Sequence, residues 1–263
     1  MYNITNIGIH IMFVKFILLI SSICIFIQAN DTKIQNIFNN HKIDGTLILT
    51  SLNTHKTYTH NRSRSTKGFF PASTFKILNT LIALDEKVIK DEHEIILWDG
   101  IIRDYKPWNR NHTLSSAFPI SCVWCYQKLA ERIGNSNYLK HLKNIHYGNQ
   151  KTGKNLTNFW LQGDIRISAV EQIDFLRRLY TSSLPYKREH LRILKDIMLV
   201  EQTPKYTIWE KSGWSSNIGW YVGYVQNKDD VWFFALNMKV NSQSELKYRK
   251  QIVMESLKLK GII

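Results

Sequence analysis

Residues 73–88, STFKILNTLIALDEKV, constrain the fold more than any other stretch. Read as a helix, the run is apolar nearly all round. A helix of that kind has no face to give to water and must be enclosed by other elements. The chain can supply the enclosure: 263 residues, 44% of them hydrophobic, suffice for one sizeable domain or two lobes sharing a core. Lys76 lies inside the run. A free lysine, with a pKa near ~10.4, is protonated at neutral pH and cannot act as a base. Apolar burial lowers that value by several units.

The two ends of the chain read as strands. DGTLILTSLNTHKTYTH, residues 44–60, is a hairpin with an apolar strand at 46–50 and an alternating one at 56–60. GWYVGYVQNKDDVWFFALNMKV, residues 219–240, is a second hairpin, with aromatic and β-branched runs flanking Asn227–Asp230. KYTIWEKSGW before it alternates as a further strand, and residues 242–260 carry helical spacing through Leu246, Ile252, Val253 and Leu257. The middle is helical. CVWCYQKLAERIG stops at Gly134, and SAVEQIDFLRRLY starts at Ser168 with Glu171 three residues on, the spacing of a capping box. This order predicts an α+β fold, an antiparallel sheet flanked by helices with an inserted all-helical lobe.

Residues 1–29 read as a signal peptide. Lys15 precedes an apolar stretch from Phe16 to Ile27, shorter than the about 20 residues of a spanning helix, and Ala29 offers a small residue at the cut. The mature chain, 30–263, is then exported to the periplasm or secreted, with no stable membrane anchor. The net charge of +14 favours anionic partners. The basic residues are spread along the chain, with no arginine-rich arm, zinc-finger spacing or aromatic RNA box, so nucleic acid is not the expected partner. Cys122-x-x-Cys125 fits a redox pair, half a metal site or two buried helix residues. A second ligand pair for zinc is missing, so no metal is expected, and helix burial is the reading adopted.

The chemistry-bearing motifs compete. In YGNQKTGKN, residues 147–155, a G-x-x-x-x-G-K loop lacks both the preceding apolar strand and the hydroxyl after its lysine, since Asn155 follows Lys154. Lys151-Thr152-Gly153 is a literal K-T-G, but in a polar, turn-rich segment. S-x-x-K, a nucleophilic serine with a lysine one turn later, occurs at Ser73–Lys76 and Ser244–Lys247. Ser244 belongs to a polar, basic helix. Ser73 follows Pro71-Ala72 and opens the apolar run, where Lys76 reaches it on one helix face and the helix N-terminus faces a developing oxyanion. Ser121 opens the next helix, where an ordinary N-cap is its commoner role. Lys211-Ser212-Gly213 ends the alternating YTIWE run and is the better-placed basic box.

With Ser73-Thr74-Phe75-Lys76, Ser121-Cys122-Val123, Tyr147-Gly148-Asn149 and Lys211-Ser212-Gly213 in this order, the chain resembles the class D serine β-lactamases, the oxacillinases, from about residue 30 to 263. LWDG, PWNRNHTLSSA, FWLQGDIRISAVEQIDFL and YRKQIVMESLKLKGII extend the match. The resemblance implies the β-lactamase and penicillin-binding-protein fold. It also implies β-lactam hydrolysis through an acyl-enzyme on Ser73, with Lys76 carrying a carbamate formed from CO₂ (N6-carboxylysine) as general base. No other cofactor is implied. Trp160 would hydrogen-bond the carbamate, with Val123 supporting it, and Val123 and Leu161 would wall the site. Ser121 would relay a proton and Lys211 supply positive charge. Ser212, Gly213 and Arg249 would meet the substrate carboxylate, and the amides of Ser73 and Trp214 would form the oxyanion hole. Ser212 departs from the commoner threonine but keeps the hydroxyl. Such an enzyme would act as a monomer or homodimer. A penicillin-binding sensor domain, acylated without turnover, shares most of these boxes and is the alternative.

Overall fold

The computed structural model describes residues 30–263; residues 1–29, read above as a signal peptide, lie outside them. In chain order, α1 (Thr32–His41) leads to β1 (Gly45–Ser51), β2 (Thr57–His60) and the short α2 (Arg62–Ser65). A 3₁₀ turn at Ala72–Phe75 runs into α3 (Lys76–Asp85), followed by α4 (Leu114–Ala117), α5 (Val123–Ile133), α6 (Asn135–Asn144), α7 (Phe159–Gln162), α8 (Ala169–Tyr180) and α9 (Arg188–Met198). The chain returns through β3 (Leu199–Gln202), β4 (Tyr206–Ser215), β5 (Ile218–Asn227) and β6 (Val231–Lys239), and ends on α10 (Tyr248–Leu259). This is an α+β fold with one antiparallel sheet, ordered β2-β1-β6-β5-β4-β3.

Both faces of the sheet are covered. On one side Phe38 of α1 and Ile252 and Leu257 of α10 pack with Leu49, Tyr221 and Phe234. On the other, Phe75, Leu78, Tyr126, Trp160 and Trp220 belong to the core shared with the helical lobe. Because β5 lies between these layers, it is buried from Ile218 to Val225 and lacks the in–out alternation of a half-exposed strand. Helix α3 is buried from Lys76 to Leu84, as its sequence demands. Two of its polar side chains are bonded there: Tyr138 Oη donates to Asn79 Oδ1 at 2.8 Å, and Thr80 Oγ1 and Tyr126 Oη share a hydrogen bond at 2.8 Å, while Asn79 Nδ2 has no partner among the described residues. The capping box at Ser168 and Glu171 forms at α8, and Gly134 ends α5.

Two local expectations change. Cys122 and Cys125 are buried, but they are joined as a disulfide rather than lying as free helix side chains. The adopted reading rested on the small number of cysteines, and one pair one helical turn apart is enough to close a bridge. Ser121 does not begin α5: it precedes the capping residue Cys122 and has the left-handed φ of 55°.

Candidate active site

The sheet and the helical lobe meet at a cleft of about 800 Å³, and Ser73, Ser121, Val123, Leu161, Gly213 and Arg249 all line it. Ser73 sits in the 3₁₀ turn, one residue after Ala72, whose φ of 49° bends the chain into it. The turn is held from several sides. Thr74 Oγ1 donates to Pro71 O at 2.6 Å, Gln172 Nε2 of α8 donates to Thr74 Oγ1 at 2.9 Å, and Trp220 Nε1 of β5 donates to Phe70 O at 2.8 Å.

Lys76 Nζ donates to Ser73 Oγ at 3.2 Å and lies over the Tyr126 ring, 5.0 Å from its centroid. Both Lys76 and Lys211 are almost completely buried. No carboxylate pairs with Lys76 among the described residues. Burial first, and the charge of Lys211 second, hold its amine well below the usual lysine range. The uncharged amine is the form that can take a proton or bind CO₂. Lys211 comes from β4 and lies 5.4 Å from the Phe118 ring centroid. Burial pushes it down to about 8, with Arg249 adding to the fall and Glu210 opposing it.

Strand β4 approaches the nucleophile turn so closely that a Cβ on Gly213 would meet Pro71 O and Ser73 N at 3.2 Å. This brings the main chain of Gly213 and Trp214 beside Ser73. Ser215 Oγ donates to Leu161 O at 2.7 Å, which fastens the end of β4 to α7. Ser212 lines the cleft, and Arg249 Nη1 donates to Gly213 O at 2.8 Å while Nε donates to Leu246 O at 2.8 Å. Trp160 is fully buried and stacks on Phe75, ring centroids 6.0 Å apart, and its indole Nε1 has no partner among the described residues. An orphaned donor at this depth favours an acceptor beside it.

Tyr147-Gly148-Asn149 lies behind the nucleophile. Tyr147 packs edge-on against Phe75 at 5.7 Å. Gly148 has φ 51°, and a Cβ there would collide with Arg166 O, so only glycine fits. Asn149 N–H donates to Arg166 O, and its amide donates to Asp164 O at 2.7 Å, tying the segment after α7 in place. Lys151 and Lys154 are exposed and outside the cleft lining. Sequence reasoning missed Trp108, Ile120 and Leu246 as lining residues. Trp108 stood in the PWNRN stretch that carries the resemblance; Ile120 and Leu246 carry no local signal.

The arrangement is that of an acyl-transfer domain. The family described as penicillin binding protein transpeptidase domain matches residues 24–258. Beta-lactamase OXA-48 of Klebsiella pneumoniae is 45% identical over 230 residues, 86% of this chain and 87% of the relative. The class D β-lactamase of Sebaldella termitidis superimposes with a TM-score of 0.86 at 38% identity, covering 89% of this chain and 100% of that one. FUS-1 (OXA-85) of Fusobacterium nucleatum subsp. polymorphum, also class D, gives 0.87 at 32% identity, with 89% and 100% covered. The chain belongs to the class D β-lactamase family.

Proposed function

We propose that this chain hydrolyses the β-lactam amide of penicillin-type antibiotics through an acyl-enzyme on Ser73, and so confers resistance to them. The observation that carries this is the buried Lys76 amine, 3.2 Å from Ser73 Oγ in the cleft. Lys76 takes the Ser73 proton as Oγ attacks the lactam carbonyl. The oxyanion faces the Ser73 and Trp214 amides, and the C–N bond breaks as Ser121 passes a proton to the leaving nitrogen. Water then cleaves the ester and frees Ser73. Lys211, Ser212 and Arg249 hold the substrate carboxylate, and Val123 and Leu161 exclude bulk water. The Lys76 amine, whose proton affinity burial lowers, and the Trp160 indole, without a partner among the described residues, fit CO₂ as a modification of Lys76, with Val123 against it. The carbamate would supply a carboxylate-like general base beside Ser73. The mature chain, 30–263, acts after export, as a monomer or homodimer, and its charge, +13 once Lys15 is removed from the +14 of the full chain, favours anionic substrates.

The test is steady-state turnover of a penicillin, an oxacillin-type substrate and a carbapenem. Wild-type protein turns over the penicillin, and Ser73→Ala does not. Turnover surviving in Ser73→Ala rejects the nucleophile assignment, and stoichiometric labelling of wild type without turnover makes the chain a sensor instead.

A further inference from the structure

The Cys122–Cys125 disulfide adjoins the site, and this reaction leaves it unused. It joins the capping residue of α5 to the third residue of the helix and closes a loop containing only Val123 and Trp124. Ser121 is its immediate neighbour, in a left-handed conformation that is costly for a residue with a side chain. Among the described residues the Ser121 hydroxyl makes no hydrogen bond. Its orientation therefore rests on its backbone, which is anchored by Ser121 N–H to Phe118 O at 3.1 Å and Cys122 N–H to Ala117 O at 2.9 Å.

A helix start of this kind normally has a side-chain oxygen as its cap. Here Cys125 N–H donates to Cys122 Sγ at 3.3 Å, and sulfur is a weak acceptor. The covalent link does what the weak cap cannot. It also reaches the rest of the cleft wall. Val123 lines the cleft, and Trp124 Nε1 donates to Trp108 O at 2.9 Å. Trp108 Nε1 in turn donates to Ile120 O at 3.1 Å, and Trp108 and Ile120 both line the cleft.

We propose that the Cys122–Cys125 disulfide is the positioning element of Ser121, so that full turnover requires oxidation of this pair. The proposal rests on the reading of Ser121 as proton relay. Formation of the bridge removes two electrons and two protons from the two thiols. A disulfide oxidant such as oxidised glutathione accepts them through a mixed disulfide and leaves as two thiols. Both cysteines are fully buried, so exchange is slow once the chain has folded. The compartment in which the chain folds thus sets the state: a reduced chain carries a loosened Ser121, and a chain folded under oxidising conditions carries a fixed one.

The experiment compares the full chain folded with oxidised glutathione, the same chain kept reduced throughout, and a Cys122→Ser/Cys125→Ala variant that keeps a capping oxygen. Thiol titration in denaturant verifies each state. Loss of the bridge lowers kcat for benzylpenicillin by about 10-fold with little change in KM, since small misplacements of a catalytic group cost rate. Refolding with oxidised glutathione restores the wild type and not the variant. In a Ser121→Ala background, loss of the bridge changes kcat by less than about 2-fold, because contacting residues are non-additive. A reduced wild type as fast as the oxidised one overturns the proposal. So does an equal drop with and without Ser121, which would mark general loosening of the lobe. Oxidised protein that does not turn over benzylpenicillin at all overturns the reaction itself.

Discussion

Ser73–Lys76 and Ser244–Lys247 share a four-residue pattern and a local shape. Each lies in or at the end of a 3₁₀ turn that passes into an α-helix, the first into α3 and the second into α10. Their surroundings differ. Ser73 and Lys76 are buried and hydrogen-bonded to each other. Ser244 and Lys247 are exposed; Ser244 Oγ bonds to Ser242 Oγ, and Lys247 lies over the Tyr248 ring. The spacing supplies reach in both places. Enclosure lowers the proton affinity of Lys76, and β4 brings Lys211 to that first site.

The largest effect that tests this contrast is Lys76→Ala, which lowers kcat for a penicillin by about 10³-fold through loss of the general base. Bicarbonate added to CO₂-depleted wild type raises its rate; a flat response removes the carbamate from the scheme. Next comes pH. Lys211 is held at about 8, so its charge is present below that pH and lost as pH rises through it. The kcat/KM for a carboxylate-bearing β-lactam then falls across that range by about 10–100-fold, the scale of one hydrogen bond to a charged group. Lys211→Arg keeps the charge and removes this alkaline limb; a limb that persists belongs to another group. Trp160→Phe deletes one donor and lowers the rate by about 10-fold, again the scale of a single hydrogen bond. A deeper loss would mean that the ring, not its N–H, holds the site. Ser244→Ala and Lys247→Ala leave turnover unchanged and stability within about 0.5 kcal/mol, as for ordinary surface positions. A loss of activity in either would erase the distinction between the two sites.

Much of the framework was legible because periodicity encodes it. The hairpins at 45–60 and 218–239, the capped α8 and the enclosed α3 follow from apolar spacing and caps. Helix α9 was missed although Leu191, Leu194, Ile197 and Met198 recur at helical spacing. Strand β3 was missed because Leu199 and Val200 are half-exposed at the edge and carry no alternation. For the site, Ser73, Lys76 and Lys211 were recognisable from order and context, but their convergence depends on β4 meeting the turn before α3, which no local window contains. The disulfide was illegible for a related reason: C-x-x-C specifies a distance along the chain and leaves the fate of the two sulfurs to the fold. Glu210 is a neighbour of Lys211 in sequence, yet its opposition to the fall in the Lys211 pKa emerges only once both are enclosed.

The burial of α3 on every side also orders events in time. No single neighbour covers it: α5, α9 and the turn that packs on β4 all contact it. While water still reaches Lys76, its amine keeps the ordinary lysine pKa and is protonated at neutral pH. The reactive serine is thus switched on by the final packing step, and a partly folded chain is spared acylation by the β-lactam. A fluorescent penicillin added during refolding should label Ser73 only after tryptophan burial is complete; earlier labelling would mean that the turn alone activates it.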